Sequence, residues 1–290
     1  MSNAARTFAW DDAAGSAVDD AEALLPDVLN GAHRRVQHAG IYDAADWYDV
    51  DYAGYIGEQP FYVKLCERFV QAGDVVVELG AGTGRLTLPL ARHGRLVHAV
   101  EPAASMRERL LDKVSRHAEL QIVVEDALAE TFSTSSSPPR LIVFPFNGLL
   151  HIGNRATLDR SLRHIYDRLA DHGHFALDIT GPYWETIRRG RIGWGRVDER
   201  VHPTSGRRFL TSDRSAYDPA TRTMHIDIRY ALVDDDVIFQ TALTQHMWTT
   251  GEMLHAVEDA GFVVEEAYGD VDFSAFNEGS PRLMLSARKR

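Results

Sequence analysis

The stretch VVVELGAGTGRLTLPLA at residues 75–91 constrains the fold of this chain more than any other. Three consecutive valines, Val75 to Val77, ask for a strand buried on both faces, because β-branched side chains are stiff and pack well on a pleated sheet. Gly80, Gly82 and Gly84 then alternate with Ala81 and Thr83. That pattern suits a tight turn whose backbone can approach a ligand closely. The run from Arg85 to Ala91 suits a helix, since the first turn of a helix tolerates Pro89. Strand, glycine loop and helix in this order open a parallel α/β sheet, whose strands need helical crossovers.

The rest of the chain continues that rhythm and then breaks it. LVHAV (96–100), LQIVVED (120–126), LIVFPF (141–146) and HFALDIT (174–180) read as strands. Residues 103–117 and 154–173 between them read as amphipathic helices, the second closed by Gly173. From about 193 to 247 the pattern becomes β alternation without helices, an antiparallel insertion. A helix returns at 249–261, with Thr249 or Thr250 as N-cap and Gly261 at its end, and two strands close the chain. Ahead of the glycine loop, residues 41–70 hold five tyrosines, a tryptophan and two phenylalanines, and their second half is helical. Residues 19–40 also read as helical, and the first eighteen as frayed. Four divisions follow: an N-terminal extension, partly mobile, at 1–40; a cofactor-binding core with an aromatic lid at 41–192; the antiparallel insertion at 193–247; and a segment completing the core at 248–290.

Two ligand classes use such a glycine loop. A dinucleotide sets its pyrophosphate on the helix start through GxGxxG, and residue 85, where the third glycine belongs, is Arg85. The spacing here is instead ExGxGxG, with Glu78 two places before Gly80. An acid at that strand end is compatible with a ligand ammonium and awkward beside a pyrophosphate. The full run Glu78–Gly84 resembles class I S-adenosylmethionine-dependent methyltransferases. That resemblance implies a Rossmann-like, doubly wound, mostly parallel seven-stranded sheet with an antiparallel last strand, plus the β insertion as a lid or dimer contact.

The resemblance also implies a site, position by position. Glu101, ending the second strand, corresponds to the acid on the ribose hydroxyls, with Pro102 beside it. Asp126 and Ala127, after the third strand, correspond to the adenine contact, with Met106 flanking it. Gly80, Ala81, Gly82, Arg85, Phe144 and Phe146 complete the cofactor contacts, with Glu78 near the ammonium and Tyr55 from the aromatic segment. The segment from Phe146 to His151 resembles that of small-molecule N-methyltransferases, similar to glycine N-methyltransferase and to aminosugar N-methyltransferases, with Gly148 where serine is common. Asn147 and His151 are therefore the candidate catalytic residues. Tyr48, Tyr52, His151, His246 and Trp248 are the candidate acceptor contacts.

Charge and residue usage exclude other classes. The formal net charge is −11, which disfavours a nucleic-acid partner, and the one basic run, RRGRIGWGR (188–196), reads as a solvated loop. The single cysteine, Cys66, lies in a helical apolar pattern and reads as a core thiol, consistent with a reducing cytoplasm. The thirteen histidines have no metal-ligand spacing, so no metal is expected. No apolar run reaches the ~20 residues of a membrane span. The expected partners are a small-molecule acceptor and a second copy of the chain. A non-catalytic S-adenosylmethionine-binding or sensor protein, a protein methyltransferase and a nicotinamide dehydrogenase remain open alternatives.

Overall fold

All five residues of Val75–Leu79 are buried, as a strand built on three valines requires. They belong to a computed structural model that describes residues 35–134, 137–181, 184–195, 197–202, 205–233, 235 and 237–290. The expectations for residues 1–34 lie outside the described residues. In chain order the strands are β1 (Arg35–Gly40), β2 (Val75–Leu79), β3 (Leu96–Val100), β4 (Gln121–Glu125), β5 (Leu141–Phe144), β6 (His174–Thr180), β7 (Arg191–Ile192), β8 (Asp198–Val201), β9 (Arg208–Asp218), β10 (Thr223–Leu232), β11 (Val237–His246), β12 (Phe262–Tyr268) and β13 (Arg282–Lys289). The helices are α1 (Ala45–Asp51), α2 (Gln59–Phe69), α3 (Thr87–Leu90), α4 (Ala104–Ser115), α5 (Arg155–Arg168), α6 (Trp184–Arg189) and α7 (Thr250–Asp259). They divide into two compact units, Met1–Ala53 with Tyr183–His246, and Gly54–Pro182 with Met247–Arg290.

The second unit holds a seven-stranded sheet of order β12-β13-β6-β5-β2-β3-β4. Neighbours from β6 through β4 pair in parallel, and β13, the last strand, runs antiparallel between β6 and β12. This is the mostly parallel sheet that the alternating pattern implies, with the antiparallel last strand that the resemblance implies. Its register sets Leu79 beside Val100, Val100 beside Glu125, and Phe144 beside Leu177. The loops after β2, β3, β4 and β5 therefore emerge at one carboxyl edge, where open α/β sheets hold ligands. Under the sheet, Phe61, Tyr62, Leu65 and Cys66 of α2 pack on Val76, Val97, Leu141 and Ala176. Cys66 is fully buried, and burial pushes its thiol up to about 12. Helix α7 starts with a reciprocal capping box between Thr249 and Glu252.

The first unit is built on a six-stranded sheet of order β1-β11-β10-β9-β7, with β8 also on β9. Strands β9, β10 and β11 form the expected antiparallel meander. Residues 35–40 form a strand where helix is expected. They pair in parallel with Val237–Ala242, and this ladder overrides the local helical preference. Residues 41–53 cluster with this sheet and not with the parallel core, which shifts the expected boundary at 41. The cause is Trp47, which stacks on Tyr230 at 4.7 Å and on Phe239 at 5.7 Å and meets Phe209 edge-on. The chain leaves the parallel unit at Pro182 and returns at Met247, so the insertion starts earlier than residue 193. Among the described residues no helix is long and apolar enough to cross a membrane.

Candidate functional site

The glycine loop follows β2 and is held by its own backbone. Ala81 N–H donates to Val100 O at 3.0 Å, and Gly84 N–H donates to Ala81 O at 3.0 Å. Gly80, Gly82 and Gly84 all have positive φ. At Gly84 the φ is +87°, and a Cβ there would lie 2.5 Å from Leu110 Cδ1 of α4, so glycine meets both a backbone and a packing need. The helix after the loop is one turn, α3, shorter than the expected span from Arg85 to Ala91. A 3₁₀ turn over Arg92–Gly94, ending in Gly94 at φ +76°, takes over its C-terminal side. So short a helix carries little dipole, and the loop amides themselves are the donors on offer.

One of those amides is already directed at an acid. Gly82 N–H donates to Glu101 Oε2 at 2.7 Å, and Ala103 N–H donates to Glu101 Oε1 at 2.8 Å. Burial raises the Glu101 carboxyl, and these two amides pull it back down. Arg107 braces the same corner. Its guanidinium donates to Glu101 O at 2.9 Å and to Pro102 O at 3.1 Å, and pairs with Asp126 at 2.9 Å. Met106 is fully buried on α4. Asp126 is mostly exposed and Ala127 half-buried, so Asp126 is fixed by Arg107 and not by burial.

Glu78 is buried, and its Oε2 accepts the Thr87 hydroxyl at 2.6 Å. Desolvation pushes its carboxyl up to about 8, although the Thr87 hydroxyl and the Arg85 charge oppose the rise. The visible work of Glu78 is thus to tie β2 to α3. Arg85 is ion-paired with Glu58. Its guanidinium also lies 5.4 Å from the Tyr55 ring and 4.6 Å from the Phe146 ring, a cation–π arrangement. Burial and the nearby Asp178 raise the Glu58 carboxyl, and its Oε2 is buried without a hydrogen-bond partner.

Asp178 on β6 is the hub of the opposite corner. Its Oδ1 accepts Tyr62 O–H at 2.7 Å and Phe146 N–H at 2.7 Å, and its Oδ2 accepts from Arg282 at 2.9 Å. Phe146 and Asn147 both sit at positive φ, 53° and 63°. Asn147 Oδ1 accepts Thr180 N–H at 2.6 Å, holding the loop after β5 to the end of β6. At Gly148 a Cβ would come within 2.2 Å of Phe144 Cε2, so a serine there would displace that ring. His151 ends the 3₁₀ turn Gly148–His151 and is exposed. Trp248 is buried and its indole N–H donates to Ile152 O at 2.9 Å.

The second unit thus brings together Tyr55, Glu78, Gly80, Ala81, Gly82, Arg85, Glu101, Phe144, Phe146, Asn147 and His151 on or beside its carboxyl edge. Tyr48, Tyr52 and His246 belong to the first unit, where the Tyr52 ring lies tilted against Tyr48 at 4.7 Å and lines a cavity of about 520 Å³. Four polar residues escaped the sequence reading: Glu58, Arg107, Asp178 and Arg282. Asp178 left a signal, an acid at the centre of the apolar strand HFALDIT. Arg282 left none, because its partner lies 104 positions away.

The family whose pattern fits residues 76–173 is described as "Methyltransferase domain". A protein named as an uncharacterized methyltransferase from Geobacillus kaustophilus is 46% identical over 48 residues, 17% of this chain and 22% of that protein. Ribosomal RNA small subunit methyltransferase A of Thermobifida fusca is 40% identical over 147 residues, 43% of this chain and 50% of that protein. The chain therefore spans half or less of the length of these curated relatives. Solved structures match over more of it. The CcbJ methyltransferase from Streptomyces caelestis superposes with a TM-score of 0.66 at 20% identity, over 80% of this chain and 95% of that one. The sugar N-methyltransferase KedS8 from Streptoalloteichus gives 0.64 at 18%, over 84% and 92%. The amino pentose methyltransferase CalS10 from Micromonospora echinaspora gives 0.63 at 19%, over 88% and 98%. At these identities the likeness is one of fold. The residues matched by the family pattern, 76–173, include the glycine loop, Glu101, Asp126 and the Phe146–His151 segment.

Proposed function

We propose that the chain is an S-adenosylmethionine-dependent methyltransferase acting on a nitrogen or oxygen of a small molecule. The observation that carries this reading is the Glu101 carboxylate, drawn against the Gly82 amide at 2.7 Å at the end of β3. Each of its oxygens accepts one backbone N–H and retains a second lone pair for a ligand hydroxyl. The donor set fits the cofactor in a second respect. Glu58 Oε2 is a buried acceptor with no partner, beside the Arg85 cation, and suits a ligand that brings both an ammonium and a carboxylate.

In this reading Glu101 binds the ribose, with Pro102, Met106, Asp126 and Ala127 around the adenine. Gly80, Ala81 and Gly82 present backbone to the amino-acid end, together with Glu78, Arg85, Tyr55, Phe144 and Phe146. When bound, S-adenosylmethionine supplies a methyl group already activated on a sulfonium. The chain therefore needs to orient and desolvate the acceptor more than to react with it. Asn147 fixes the loop after β5 through Thr180. His151 accepts a proton from a hydroxyl acceptor, or stands by for an amine that sheds its proton later. Within this unit His151 and Trp248 are the proposed acceptor-facing residues.

Methyl transfer from labelled S-adenosylmethionine to a panel of small amines, phenols and alcohols tests the reading. His151→Ala is expected to leave S-adenosylhomocysteine affinity unchanged and to lower turnover about 10²-fold with a hydroxyl acceptor. Unchanged turnover makes His151 structural. Cofactor binding without transfer to any acceptor supports the sensor alternative. Transfer to ribosomal RNA alone, the substrate class in the name of the Thermobifida fusca relative, overturns the small-molecule part.

A further inference from the structure

The resemblance sets Glu78 near the cofactor's ammonium, yet Glu78 has little left to offer one. It is buried, its Oε2 accepts the Thr87 hydroxyl, and with its carboxyl pushed up to about 8 it holds a proton at neutral pH. Glu58 of the same unit is placed differently. It immediately precedes α2 and is 0% exposed. Its Oε1 pairs with the Arg85 guanidinium, while its Oε2 is buried and has no hydrogen-bond partner. A buried acceptor left without a donor is costly, and more so on a charged group.

Three contacts fix where this carboxyl stands. Gln59 Nε2 donates to Arg85 O at 3.2 Å, which ties the start of α2 to the residue that follows the glycine loop. The Arg85 guanidinium reaches from Glu58 to the Phe146 ring on the loop after β5. Phe146 N–H in turn is held by Asp178 Oδ1. Glu58 therefore stands at the carboxyl edge, beside the glycine loop. Asp178 has both its oxygens committed, to Tyr62, Phe146 and Arg282. Its charge still acts on Glu58: burial and Asp178 raise the Glu58 carboxyl, and Arg85 opposes the rise. A neutral donor would fill the missing hydrogen bond alone. A positively charged donor also offsets the charge of the second acid.

An α-amino acid carries an ammonium and a carboxylate on one carbon. The Glu58–Arg85 pair presents the opposite charges at similarly close range, so the four charges can alternate in sign. We propose that Glu58, and not Glu78, receives the ammonium of the cofactor's amino-acid end on its Oε2, with Arg85 beside it for the carboxylate. Glu58 is then the residue by which the site selects a cofactor with an intact amino group. Tyr55, whose ring lies 5.4 Å from the Arg85 guanidinium and which is 37% exposed, is the cover that turns aside on entry. The assignment rests on the cofactor reading above and adds to it the group that reads the ammonium.

Calorimetry on the full chain tests it with S-adenosylhomocysteine, its desamino analogue, which keeps the carboxylate, and methylthioadenosine, which lacks both groups. The parent is expected to bind S-adenosylhomocysteine about tenfold more tightly than the desamino analogue, or better. Glu58→Gln should weaken S-adenosylhomocysteine about tenfold and so erase that preference. The same variant should bind the desamino analogue at least as well as the parent does, with methylthioadenosine affinity and circular dichroism unchanged. Glu58→Asp, which keeps the charge but draws it back by one methylene, should retain part of the preference, and Glu78→Gln all of it. Equal binding of S-adenosylhomocysteine and the desamino analogue by the parent would overturn the assignment without any variant. So would an intact preference in Glu58→Gln, equal weakening of both carboxylate-bearing probes there, or a preference lost in Glu78→Gln. The cofactor reading fails differently: the parent then binds neither S-adenosylhomocysteine nor methylthioadenosine, and the assignment falls with it.

Discussion

Two groups of carboxylates, one in each unit, are built on opposite principles. In the second unit Glu58, Glu78, Glu101 and Asp178 are all nearly inaccessible. Glu101 and Asp178 are wrapped by backbone amides and by Tyr62 and Arg282, Glu78 is tied to Thr87, and Glu58 to Arg85. In the first unit Asp51, Asp198 and Asp213 line an open cavity, and Asp51 is held there by Arg200 and Tyr230. Acids that hold a fold together are buried and tied to donors. Acids available to a ligand remain hydrated or keep capacity in reserve. Glu101 does both, since two amides fix it and lone pairs remain.

The largest effect separating the groups is expected at Asp178. Asp178→Ala strands the Arg282 guanidinium and leaves Phe146 N–H and Tyr62 O–H without their acceptor. A loss of about 3–5 kcal/mol in urea unfolding follows from breaking a buried ion pair on one side. A loss below about 1 kcal/mol would erase the distinction between the two regions.

Glu78 gives the next largest effect, and it depends on pH. Its folded carboxyl stands at about 8 against an ordinary 4.5. Between those values the folded state holds the proton more firmly than the unfolded chain, so stability is greatest below the lower value. It declines as pH rises and levels off above the higher one. Glu78→Gln has no such proton and should flatten that decline. Relative to the parent, the variant should gain on the order of 3–5 kcal/mol between about pH 4.5 and pH 9. Parallel stability profiles for the two proteins would contradict the desolvated carboxyl.

Smaller effects lie at Glu101 and at Asp213 of the cavity. Glu101→Ala should weaken S-adenosylhomocysteine by about 1–3 kcal/mol in calorimetry through lost charged hydrogen bonds. Asp213→Asn should leave the unfolding free energy within about 1 kcal/mol of the parent, because an open acid supports no neighbour. A large loss there would move Asp213 into the structural group.

The same contrast decides what was legible in the sequence. The strand, the glycine loop and Glu101 lie within a few tens of residues, and their chemistry is local, so spacing reveals them. The seven-stranded sheet follows for the same reason, because each βα crossover announces itself by its own periodicity. The cavity of the first unit is assembled from residues 51, 198 and 213, which no spacing connects. Strand β1 was unreadable because its ladder partner, Val237–Ala242, lies some two hundred positions away. Helix α3 came out shorter than its pattern, since Arg85 and Leu86 are still in the turn after the glycines and the helix starts only at Thr87. Trp47 read as part of a lid over the cofactor, whereas it seats α1 on the sheet of the first unit through Tyr230 and Phe239.

The central claim is that the glycine loop and Glu101 hold S-adenosylmethionine and not a dinucleotide. Calorimetric titration of the full chain with S-adenosylhomocysteine, and in parallel with NADH, tests it most directly. The account predicts saturable binding of S-adenosylhomocysteine, weakened in Glu101→Ala, and none of NADH. Binding of NADH alone, or of S-adenosylhomocysteine with equal affinity in the Glu101→Ala variant, would contradict it.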